Sequence, residues 1–97
     1  MEKNNPDTIL VARSADPATL VDYQSNAVVS RTIIDRKAGT VTLFAFDRGQ
    51  GLSEHTAPYD ALVIIIDGGA VITVDGNSVN SKSGEVTILP ANHPHAL

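Results

Sequence analysis

Three histidines, His55, His93 and His95, are the side chains in this chain best suited to chemistry near neutral pH. Cysteine is absent, which excludes thiolate nucleophiles, zinc ribbons, iron–sulfur clusters and disulfides. A general base or a metal ligand must therefore come from these imidazoles or from the eleven carboxylates. His93 and His95 stand two apart, and such a pair in extended backbone shares one face. Pro94 between them favours extension at His93. His55 lies far upstream, after a glycine-containing loop and before an apolar run. All three follow turns or strand ends, positions that a small β-barrel can gather at one mouth, where ligands tend to bind. The plainer reading makes His55 and His95 pocket-lining imidazoles bonded to water or carbonyls, and His93 an exposed loop residue. Ser53 stands near His55, but no strained elbow motif surrounds it.

The elements that must position these groups are mostly strands. Asp16 can cap a helix and Pro17 suits its first position, so a short helix is expected from Pro17 to about Tyr23. Short β-prone runs follow, at Ala27–Asp35, Thr40–Asp47, Ala61–Asp67, Ala70–Asp75 and Glu85–Leu89. Turn chemistry separates them at Lys37-Ala38-Gly39, Gly68-Gly69, Asp75-Gly76-Asn77 and Lys82-Ser83-Gly84. This spacing predicts an all-β sandwich or barrel. The continuous apolar run from Ala61 predicts a buried strand. Phe44 and Phe46 share one strand face and are expected in the core. The glycines read as turn residues, since no phosphate-binding glycine motif followed by a helix occurs.

Composition narrows the function classes. Ninety-seven residues fit one domain. A net charge of −4, seven Lys and Arg, two Tyr, two Phe and no Trp argue against a nucleic-acid partner. The polar start MEKNNPDTIL has no signal-peptide core, and Ala61–Ile66 is too short to span a bilayer. A cytoplasmic protein without a membrane partner is the expectation.

Two spacings resemble those of the cupin family of small β-barrels. The first cupin motif reads Gly, five residues, His, one residue, His, three or four residues, Glu, six residues, Gly. Gly49, His55 and Gly68 stand at its offsets. The second reads Gly, five residues, Pro, one residue, Gly, two residues, His, and Gly84, Pro90 and His95 match it. The Val74-Asp75-Gly76 turn also looks like the family. The likeness runs from about Thr40 to Leu97. The stretch His55-Thr56-Ala57-Pro58-Tyr59-Asp60-Ala61 is similar to a subgroup of short single-domain cupins without a defined activity.

The resemblance implies a cupin-type double-stranded β-helix, a jelly-roll barrel, with a short N-terminal helix. Residues 1–26 would form an arm and the helix, and residues 27–97 a single barrel domain. It also implies a metal set of three His and one Glu, of which this chain keeps His55 and His95. The second His falls at Ala57, the Glu at Ala61, and the second-motif Gly is Asn92, a residue that tolerates left-handed backbone.

Two functional readings follow. One is a barrel that binds a small polar ligand at its mouth, lined by His55, Tyr59, Asp60 and His95, with a degenerate or weak metal site. The other is a metal-dependent enzyme of dioxygenase or isomerase type. That enzyme would hold a divalent metal (Zn, Fe, Mn or Ni) on His55, His95 and a further ligand such as Asp60, Glu54 or His93. A structural module with a filled interior is a third. Asp60 suits capping a turn or accepting backbone N–H groups better than touching a ligand. Cupin barrels commonly continue past the second motif with another strand, and here Leu97 follows His95 by two residues. The open edge predicts a homodimer in which Thr8–Arg13 adds to a neighbour's sheet.

Overall fold

A computed structural model describes residues 10–97, in two compact units, one ending at Gln50 and the other spanning Gly51–Leu97. The described start of the arm is a turn: the Arg13 N–H donates to the Leu10 carbonyl at 3.0 Å, and Ala12 has φ 56°. The rest of the Thr8–Arg13 segment lies outside the described residues.

The expected helix shrinks to a single 3₁₀ turn, Pro17–Thr19. Its start is as read: the Asp16 carboxylate accepts from the Ala18 N–H at 3.0 Å, and proline occupies the first turn. Its end comes four residues early. The Leu20 carbonyl, which a continuing helix would use, instead accepts from Arg31 Nη1 at 3.0 Å.

Strand β1 (Val28–Arg36) pairs antiparallel with β2 (Gly39–Phe46). The hairpin turns through Lys37 and Ala38, and a bulge between Thr32 and Ile34 shifts the register. Its base is tied by the Asn26 N–H, which donates to Asp47 Oδ2 at 2.7 Å. Phe44 and Phe46 do share a face, their ring centroids 5.7 Å apart. The buried residue of β2 is however Ala45, on the opposite face, while Phe44 is 43% exposed.

The second unit holds five strands. Strand β3 (Ala61–Ile64) pairs antiparallel with β6 (Val86–Leu89). Strand β4 (Gly69–Val74) lies between β5 (Asn77–Lys82) and the two-residue β7 (His95–Ala96). The β4–β5 hairpin turns on Asp75 and Gly76, at φ 51° and 80°. A two-residue turn with both φ values positive matches the strand twist, which is why an Asp-Gly pair stands there. Ile72 is fully buried, and Leu89, Ser81 and His95 are nearly so.

The apolar run from Ala61 is half-buried on one face and exposed on the other. Leu62 is 61% and Ile64 55% exposed. Strand alternation turns Ala61 and Val63 the other way, and Ala61 sits opposite the buried Leu89. Unbroken hydrophobicity suggested two covered faces, whereas only one is covered, and that in part.

Candidate functional site

His55 and His95 meet because their backbones pair. Each donates its N–H to the other's carbonyl at 2.9 Å, and Leu52 and Leu97 exchange the same pair of bonds at 2.9 and 3.1 Å. Two residues that exchange both bonds in an antiparallel ladder stand directly opposite and project side chains to one face. The ladder thus closes the sequence gap between the two cupin motifs. Gly51 permits it, since a Cβ there would collide with the Leu97 carbonyl oxygen. On its other side, His95 pairs with Val74 of β4.

The two imidazoles contact edge to face, centroids 4.4 Å apart, with Nε2 to Nε2 at 3.2 Å. Each is oriented by a carbonyl two residues before it. His55 Nδ1 lies 2.8 Å from the Ser53 oxygen, and His95 Nδ1 3.2 Å from the His93 oxygen. A carbonyl oxygen only accepts, so both Nδ1 atoms carry the hydrogen. A neutral imidazole protonated at Nδ1 has a lone pair at Nε2. The geometry therefore sets two acceptors face to face. Two facing acceptors suit a donor group of a ligand, or a cation, that bridges both nitrogens. His95 is 4% exposed while His55 is open to solvent, so one ring is fixed and the other reachable.

The donor set meets part of the metal site that the cupin motifs imply. Imidazoles that donate Nδ1–H to a carbonyl and present Nε2 are oriented as metal ligands are. Two ligands on one tetrahedral zinc would lie about 3.3 Å apart, close to the 3.2 Å observed. Catalytic zinc takes three protein ligands, and the remaining two motif positions carry only the methyl groups of Ala57 and Ala61. No group of three His, Cys, Asp or Glu suited to a metal occurs among the described residues. The chain keeps two corners of the shell, and the residues do not fit a resident cupin metal.

Asp60 accepts the Ala91 N–H on Oδ1 at 2.8 Å, tying the loop before β3 to the turn after β6. Beside it, the Asn92 N–H donates to the Ala57 carbonyl at 2.7 Å, and Asn92 has φ 65°, the left-handed backbone for which the family places Gly. Tyr59 is 66% exposed.

His93 has a partner that the sequence did not suggest. Its Nδ1 lies 2.7 Å from Asp75 Oδ2, with the two side chains 51% and 46% exposed. The Asp75 N–H donates to the Pro94 carbonyl at 2.9 Å, so the β4–β5 turn and the segment before β7 are joined twice. Nothing local links two residues 18 apart; the available signal was the Asp-Gly turn itself, which fixes where Asp75 must lie.

Comparison with known proteins agrees with this architecture. The cupin domain family matches residues 42–97. A conserved protein of unknown function from Streptococcus pyogenes is 34% identical over 89% of this chain and 75% of its own, with a TM-score of 0.83. A cupin 2 conserved barrel domain protein from Leptotrichia buccalis is 40% identical over 81% of this chain and 38% of its own, with a TM-score of 0.79. A cupin superfamily protein from Desulfitobacterium hafniense is 32% identical over 81% of this chain and 72% of its own, with a TM-score of 0.78. No curated protein matches the chain. The chain belongs to the cupin family, and its fold is the all-β jelly-roll type of cupin barrels. No helix among the described residues is long and apolar enough to cross a membrane.

Proposed function

We propose that this cupin binds a small polar ligand at the His55–His95 pair, which stands where the family's metal site has been reduced to two ligands. The observation that carries the reading is the pair of Nε2 atoms 3.2 Å apart with both Nδ1 atoms committed to carbonyls. Two converging acceptors favour a ligand that offers a hydroxyl or amine hydrogen to them. One ring is buried and held on a backbone ladder, so little side-chain ordering is needed on binding.

Nitrogen-labelled protein screened against small alcohols, amines and sugar derivatives should show imidazole shifts at His55 and His95, lost on His55→Ala. Elemental analysis should find metal well below one equivalent. A full equivalent that survives dialysis would overturn the reduced-site reading. It would favour the metal-dependent dioxygenase or isomerase, for which a carboxylate such as Asp60 must give up its present partner.

A further inference from the structure

The His55–His95 pair also limits what its ligand can be, and the first limit is a count of hydrogens. Both Nε2 atoms present lone pairs, 3.2 Å apart, because each Nδ1 is committed to a carbonyl. A hydroxyl carries one hydrogen, so it serves one nitrogen and turns its own oxygen toward the other. An ionised carboxylate brings acceptors only. An ammonium carries three hydrogens. Seated about 2.9 Å from each nitrogen, it gives one to each and keeps a third for water.

We infer that the ligand taken by this pair is an ammonium cation, a small molecule bearing a primary amine that is protonated near neutral pH. This rests on the ligand reading of the site given above, and narrows it to one charge and one kind of donor.

Charge sets the second limit. The unit spanning Gly51–Leu97 carries Glu54, Asp60, Asp67, Asp75 and Glu85 against Lys82 alone, so the chain's formal net charge of −4 falls on this unit. Two of these carboxylates flank the pair. Glu54 precedes His55, and Asp75 follows Val74, the residue opposite His95. Lys82 stands away from it. Its partner is Gly69, five residues along β4 from Val74, or about 17 Å of strand. An odd spacing along a strand also sends the Lys82 side chain to the face opposite that of His95. A region of one sign concentrates ligands of the other. This unit therefore favours a cation, and it offers an anion no anchor but Lys82.

Burial sets the third. His95 is 4% exposed, with its Nε2 aimed at His55. A buried acceptor left without a donor is costly, so a charged donor delivered there gains more than it would in water. His55 is open to solvent and gives the ammonium its way in.

The test is a titration of the full nitrogen-labelled chain, followed by NMR at about pH 8, where an ordinary imidazole is neutral. The probes share a butyl chain: butylammonium, butanol, butyrate and butyltrimethylammonium. Butylammonium should move the His55 and His95 ring nitrogens at a concentration at least about tenfold below that needed for butanol. Butyrate should leave them in place. So should the trimethylated cation, which has the charge without the hydrogens. Raising salt from about 0.02 to 0.5 M should weaken the butylammonium response severalfold and leave that of butanol unchanged. The inference is overturned, with the ligand reading left standing, if butanol or butyrate matches butylammonium. It is overturned as well if the trimethylated cation does, since charge alone would then suffice. Rings that answer to none of these probes overturn both.

Discussion

His95 touches His55 with both rings turned by backbone carbonyls, whereas His93, two residues earlier, touches Asp75 in open solvent. The first contact has a buried member at 4% exposure and stands on a four-bond ladder. The second joins two half-exposed side chains. Both distances are short, yet they differ in what they can do. Water competes with the Asp75–His93 contact, and exposed polar side-chain pairs contribute little. The His55–His95 pair has its tautomers set by backbone carbonyls two residues before each ring, beside the ladder that pairs the two segments. A preset orientation is what binding needs. The difference shows that short distance is weak evidence of a site unless the backbone also fixes the groups.

The strongest way to sharpen the comparison is to restore the missing corners. Ala57→His with Ala61→Glu should raise zinc or nickel affinity by at least about a hundredfold over the parent chain, read by calorimetric titration. Adding His93→Ala should leave that gain intact. A gain that vanishes with His93→Ala would transfer the site to the exposed pair.

Stability separates the two contacts next. His95→Ala should lower unfolding free energy by about 2–4 kcal/mol, because it leaves a void beside the core and two partners unmet. Denaturant titration gives the value, and a loss no larger than that of His93→Ala breaks the contrast. Gly51→Ala tests the ladder beneath the pair. The added methyl meets backbone at Leu97 rather than a movable side chain, so a loss of about 2 kcal/mol is expected. The His55 and His95 ring resonances should move with it, and unmoved resonances would show that the rings do not depend on the ladder.

Asp60→Ala removes the acceptor of the Ala91 N–H. About 1 kcal/mol of stability should go with it, while ligand-induced shifts at His55 and His95 persist. Loss of those shifts would move Asp60 from loop tie to ligand contact. The smallest effect is assigned to Asp75→Asn, which tolerates the turn's left-handed backbone and removes only an exposed pair. A change within about 0.5 kcal/mol is expected. A larger, salt-dependent loss would make the two contacts alike after all.

How legible these features were depended on how local their causes are. Asp75-Gly76 announced its hairpin because positive φ at both positions restricts residue choice. Asp16-Pro17 announced the start of a turn for a similar reason, though not its end. That end depends on Arg31, which takes the Leu20 carbonyl from a distant strand. The apolar run at Ala61–Ile66 read as buried because hydrophobicity was the only signal. Which faces of a strand are covered depends on what packs against them, and a single chain contains no signal for that.

By itself the sequence determined the all-β class, the cupin family and the offsets of His55 and His95, because turn residues and motif spacings act through local backbone geometry. It also determined what is missing, since an Ala at 57 or 61 cannot ligate wherever it lies. Only the tertiary structure decided that the two imidazoles meet Nε2 to Nε2, that Asp60 is engaged by Ala91, and that His93 has Asp75. Those contacts join residues 40, 31 and 18 positions apart. Each is fixed by strand pairing across the second unit, a long-range hydrogen-bond pattern that no window of neighbouring residues encodes.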